Sequence, residues 1–157
     1  MTIHMKAPLE IGISVKDVDR AAEFYEKALG FQRMSEATLA PDRAALAGFG
    51  PVAFRMVRMQ TNYGERIKLL QSTPGPVGDP AAETILGPAG IAYLTFVVGD
   101  IEAAIVRLKA AGVKLMSDAP VQTRPGTRLL FFRDCEGNPL ELVQYDDLAA
   151  YRPDIAH

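Results

Sequence analysis

The chain has 157 residues, 48% hydrophobic and 23% charged, and its 17 Lys+Arg against 19 Asp+Glu give a net charge of −2. That composition belongs to a soluble globular protein; it excludes a disordered or acidic solvating chain, and the lack of any Lys/Arg block argues against nucleic acid as a partner. One cysteine, Cys135, and two histidines, His4 and His157, exclude an intrachain disulfide, a cysteine-based zinc site and a metal centre built on core histidines.

From the N-terminus, Met1 to Lys6 shows no apolar signal segment. No later run approaches the about 18 consecutive apolar residues of a membrane span. A cytoplasmic protein without a membrane partner is expected. An alternating run from Leu9 to Val15 ends at Asp17, which is placed to cap a helix. Val18, Ala21, Ala22, Tyr25, Ala28 and Leu29 then fall on one helical stripe, and Gly30 sits where a glycine ends such a helix. Strand-like runs follow at Phe31 to Ala37, Val52 to Gln60 and Glu65 to Gln71, with a loop from Thr38 to Pro51 and a turn at Asn62-Tyr63-Gly64. Residues 73–87, within a stretch rich in proline and glycine, read as a linker.

The pattern then repeats. Ala92 to Val98 alternates and leads to Asp100, and Ile101, Ala104, Ile105, Leu108 and Ala111 form a second helical stripe before Gly112. Strands are expected at Val113 to Met116, Arg128 to Arg133 and Leu140 to Tyr145, with Glu136-Gly137-Asn138-Pro139 as the turn between the last two. The expectation is one domain, 1–157, of class α+β. It comprises a βαβββ module at 7–72, the linker 73–87, a second module at 88–146 and a polar tail at 147–157.

The segments ISVKDVDRAAEFYEKALGF, VVGDIEAAIVRLKAAGVKL and LLFFRDCEGNPLELVQY resemble the signature segments of the vicinal oxygen chelate superfamily. That superfamily includes glyoxalase I, extradiol dioxygenases, methylmalonyl-CoA epimerase and the fosfomycin and bleomycin resistance proteins. The resemblance implies a glyoxalase-like fold, paired modules curling mixed sheets around a cavity, and a homodimer. It says little about activity, because the fold hosts many chemistries.

In metal-dependent relatives four positions hold the ion, and they correspond here to Glu10, Lys68, Tyr93 and Glu141. Only Glu141 keeps a common ligand. A protonated lysine has no lone pair to offer and repels a cation, and a neutral tyrosine is a poor ligand, so neither a metal nor another cofactor is expected. Strand alternation puts the four side chains on the concave side of otherwise apolar strands. Lys68 is expected to bridge one or both carboxylates, with the Tyr93 hydroxyl donating to Glu141.

Several functions fit. In the first, a carboxylate whose pKa is raised by desolvation abstracts a proton beside a carbonyl of a small, largely apolar substrate: a metal-independent isomerase or lyase. Glu141 is then the base, Tyr93 and Lys68 the donors to the developing oxyanion, and Glu10 a second acid/base or the orienter of Lys68. In the second, the four residues plug a vestigial metal site, and the protein binds a drug or metabolite without catalysis. The absence of Trp argues against a cleft for planar drugs. A divalent-metal glyoxalase- or dioxygenase-like enzyme is the third. Smaller expectations attach to Met34, Met56, Met59 and Phe54, as pocket lining or ordinary core, and to Arg55, Arg58, Arg66 and Arg128, as carboxylate holders or solvated edge residues. Parity allows only one of Arg55 and Arg58 to face inward. Cys135 and the histidines are expected to be inert.

Overall fold

The computed structural model of the chain describes residues 7–8, 10–76, 85 and 91–153. His4, Leu9, His157 and most of the linker 73–87 lie outside them. The chain divides into two compact units, residues 1–78 and 79–157.

Unit 1 contains β1 (Glu10–Ser14), α1 (Val18–Leu29), β2 (Gln32–Leu39), α2 (Pro41–Leu46), β3 (Ala53–Gln60) and β4 (Arg66–Thr73). The sheet order is β1-β4-β3-β2, with β1 parallel to β4 and the other pairs antiparallel. Asp17 caps α1 by accepting from the backbone of Asp19 and Arg20, and Gly30 ends it at φ 75°, a left-handed conformation that favours glycine. The stripe Val18, Ala21, Ala22, Tyr25 and Ala28 is buried, as are Val57, Met59, Ile67 and Leu69 on the sheet. Tyr25 packs edge-on against Phe24 and Phe31.

Unit 2 repeats the plan with β5 (Leu94–Val97), α3 (Ile101–Ala110), β6 (Val121–Arg124), β7 (Thr127–Arg133), β8 (Pro139–Tyr145) and α4 (Leu148–Tyr151). Its order is β5-β8-β7-β6, with β5 parallel to β8. The likeness extends to single bonds. The first amide of α1 donates to Gln71 Oε1 at 2.9 Å, and the first amide of α3 donates to Gln144 Oε1 at 2.8 Å. Each glutamine reaches from the last strand of its unit to satisfy an otherwise orphaned helix N–H. Ile101, Ile105, Leu108, Leu130, Phe132, Leu140 and Leu142 form the core of this unit.

Two expectations are corrected, and the tail gains a helix. Val113 to Met116 is not a strand: Leu115 makes one isolated bridge to Phe132, and the outer strand is β6, paired with β7 from Val121. Pro120, which lacks a backbone N–H, lies just before the strand that does form. The loop from Thr38 to Pro51 contains α2, started by Pro41 in the first helical turn. The tail contains α4, whose N-cap Asp147 accepts from Ala150 N at 2.8 Å.

Candidate functional site

In unit 2, β8 turns Glu141, Val143 and Tyr145 toward the face opposite Leu140 and Leu142; Glu141 and Val143 are themselves buried and Tyr145 is half-buried. These side chains, with Tyr93, Thr95, Thr127 and Leu129, line a cavity of about 610 Å³. Glu141 is 7% exposed. Its Oε2 accepts from Thr95 Oγ1 at 2.6 Å, and Thr95 is its Cα partner across the parallel pair. On the other side Glu141 faces Phe131 of β7, against which the Tyr93 ring packs edge-on at 5.0 Å. Among the described residues of unit 2 no cation lies within ion-pair distance of Glu141. It is therefore a buried carboxylate held by one hydroxyl and facing a cavity.

The hydrogen bond expected from Tyr93 to Glu141 is made by Thr95 instead. Tyr93 precedes β5, is 39% exposed and contributes its ring to the cavity wall. Alternation carried the signal for Thr95: it lies two residues beyond Tyr93, hence on the same face. At the far end of the cavity, Tyr151 of α4 stacks on Tyr145 with ring centroids 3.8 Å apart, and the Arg124 guanidinium lies 5.9 Å from the Tyr151 ring. Burial, joined by the neighbouring Tyr151, pushes the Tyr145 phenol up to about 12, so it is a hydrogen-bonding group and not a base at neutral pH.

Glu10 and Lys68 meet in unit 1. Lys68 Nζ is 3.4 Å from Glu10 Oε2, Arg58 Nε is 3.7 Å from the same oxygen, and an Arg66 guanidinium nitrogen is 3.5 Å from Glu10 Oε1. Partial burial pulls the Glu10 carboxyl upward, but Lys68, Arg58 and Arg66 together outweigh it and hold the group below its ordinary value. The raised pKa expected of a cavity carboxylate does not apply to Glu10, which is a poor base. Sequence reasoning left Arg58 and Arg66 as holders of a substrate carboxylate or solvated edge residues; it missed that strand register sets Arg58 opposite Lys68 and Arg66 opposite Glu10.

The residues do not fit a divalent cation. Glu10 is already occupied by three cations, one of them at a ligand position. Among the described residues no group of three or more His, Cys, Asp and Glu side chains has metal-binding geometry.

Other candidates resolve into structure. Arg55 binds Asp19 through two hydrogen bonds of 2.5 and 2.9 Å and also reaches Glu36, on the face opposite Arg58. Arg128 pairs with Glu102 at 3.3 Å. Met59 is core, whereas Met34 is exposed, so the methionines do not line one pocket. Asp134 accepts from the Glu136 and Asn138 amides, the turn chemistry expected around Cys135. No helix among the described residues is long and apolar enough to cross a membrane.

A model of the Glyoxalase/Bleomycin resistance protein/Dioxygenase superfamily matches residues 7–142. The uncharacterized protein YwkD of Bacillus subtilis (strain 168) is 30% identical over 142 residues, covering 89% of this chain and 98% of its own. A solved glyoxalase family protein from Bacillus cereus superposes with a TM-score of 0.77 at 25% identity, over 91% of this chain and 96% of that one. TnmS3, an antibiotic binding protein from Streptomyces sp. CB03234, superposes with a TM-score of 0.61 at 20% identity, over 92% and 99%, which is a likeness of fold alone.

Proposed function

The chain belongs to the Glyoxalase/Bleomycin resistance protein/Dioxygenase superfamily, and on that premise we propose that unit 2 binds a small carbonyl compound and that Glu141 moves a proton on the carbon beside the carbonyl. The observation that carries this is a carboxylate 7% exposed, oriented by Thr95 at 2.6 Å and opening onto a cavity of about 610 Å³. Proton abstraction needs a basic oxygen held in place and unshared with a cation. In unit 2 Glu141 is held by Thr95 and by no cation of that unit, whereas Glu10 is shared by three cations.

The C–H proton passes to Glu141, the C–H electron pair becomes the enolate, and negative charge collects on the former carbonyl oxygen. Tyr93, on the same cavity wall, supplies the O–H that stabilises it. Return of the proton to another face or carbon gives an isomerase; loss of a leaving group gives a lyase. No metal enters this scheme. Glu141→Gln should lower kcat by about 10²–10⁴-fold with little change in KM. A parallel rise in KM with unchanged kcat would assign Glu141 to binding instead.

A second reading, non-catalytic binding of a flat ligand, draws support from the three tyrosines lining the cavity, two of them stacked. We also propose a homodimer. β2 is an outer strand of eight residues, almost all exposed, and such edges are normally covered. Sedimentation at micromolar concentration should give twice the 17.0 kDa chain mass; a monomer would contradict it.

A further inference from the structure

The internal repeat supplies its own control. In unit 2 the row Thr95–Glu141–Phe131 crosses three strands on the cavity face. At the same strand positions of unit 1 the row is Gly12–Lys68–Arg58. One row carries a single acid; the other sets two cations directly opposite one another, an arrangement that by itself destabilises a strand pair. The adjacent row of unit 1 is Glu10–Arg66–Gln60. Glu10 thus faces Lys68, Arg58 and Arg66 at 3.4 to 3.7 Å, one carboxylate against three cations. A structural ion pair that merely filled a lost metal site would balance its charges. This one leaves a surplus of two positive charges on a half-buried face. Asp19 and Glu36 do not offset it, because Arg55 holds them on the opposite face.

Two further observations point to a ligand. Arg58 Nε is sealed from solvent yet makes no hydrogen bond, although the same guanidinium donates from another nitrogen to Ser35 Oγ at 2.9 Å. Such a donor is left unsatisfied only at a cost. Gly12, inside β1, is exposed and leaves the surface beside Lys68 without a side chain. Glycine inside a strand commonly marks close approach of a ligand.

We propose that this face of unit 1 binds the oxyanion of a small molecule, a carboxylate or phosphate group, with Lys68, Arg58 and Arg66 as donors. Glu10 holds the three cations together and competes with the incoming anion. Arginine forks and an ammonium suit either group. This site is independent of proton transfer at Glu141.

The test uses the full chain, titrated with inorganic phosphate and separately with acetate at constant ionic strength, and followed by amide chemical shifts. Saturable shifts centred on Gly12, Arg58 and Lys68 are expected, and the tighter of the two anions identifies the group recognised. Lys68→Met should weaken binding by about tenfold or more, the loss of one charge-assisted contact. Glu10→Gln should tighten it by about tenfold, because the competing carboxylate is gone. A purely structural cluster would not produce that opposite sign. Should Lys68→Met fail to fold, Glu10→Gln still decides. No saturable shift with either anion, or no tightening in Glu10→Gln, overturns the proposal. Since no turnover is read, that result would leave the role of Glu141 untouched.

Discussion

Thr95 Oγ1 donates to Glu141 Oε2 at 2.6 Å, between residues that are Cα partners in the parallel β5–β8 pair. Adjacent strands of one sheet hold both groups, so the carboxylate is oriented by backbone pairing and not by a mobile loop. One oxygen is thereby engaged with a neutral donor and not with a cation of its own unit.

Thr95→Val preserves shape and removes the donor. A buried carboxylate then loses its hydroxyl partner, so urea unfolding should show a loss of about 1.5–3 kcal/mol. Thr95→Ser should retain most of the stability. Equal stability of the Val variant and the parent would mean that the bond does not hold Glu141.

Unit 1 predicts an acid-sensitive ion cluster. The Glu10 carboxyl lies below its ordinary value of 4.5 because Lys68, Arg58 and Arg66 outweigh its partial burial. A depressed carboxyl contributes stability that is fully present above the unfolded-state pKa and is lost as pH falls through the folded-state value. The loss therefore falls below about pH 4.5, and Glu10→Gln should flatten that part of the acid limb in a pH series of melting temperatures. An unchanged acid limb would show that the three cations do not stabilise the ionised form.

How far the sequence was legible follows the range of the signal. Helix α1 was readable to the residue because Asp17, the apolar stripe and Gly30 are local. The strand expected at Val113 to Met116 was misplaced because local β-propensity does not say which stretch wins the free edge of β7. Residues 121–124 take it, while Leu115 keeps only one bridge. Glu141 and Lys68 were recoverable through repeat and resemblance. Alternation put Thr95 on the face of Tyr93, but its pairing with Glu141, and the places of Arg58 and Arg66 beside Glu10, were not recoverable. Those depend on register across strands far apart in the chain, which alternation alone leaves open.

The donor set also predicts indifference to metal. EDTA should leave the melting temperature unchanged, because Glu10 is shared by three cations and Lys68 offers no lone pair. Lys68→Glu replaces one of those cations with a second carboxylate beside Glu10 and should create measurable divalent-ion binding by calorimetry. One equivalent of tightly held transition metal in the unaltered protein would contradict this.

The most direct measurement of the role of Glu141 is proton–deuterium exchange at the acidic C–H of small carbonyl compounds, followed by proton NMR in D₂O. The parent protein should catalyse exchange on a compound that fills the cavity of unit 2, and Glu141→Gln should slow it by about 10²–10⁴-fold. Tyr93→Phe should slow it by about 10²–10³-fold through loss of the oxyanion donor. Glu10→Gln should leave it essentially intact. Undiminished exchange in Glu141→Gln, or ligands that bind with no exchange above the solvent rate, would contradict proton transfer by Glu141.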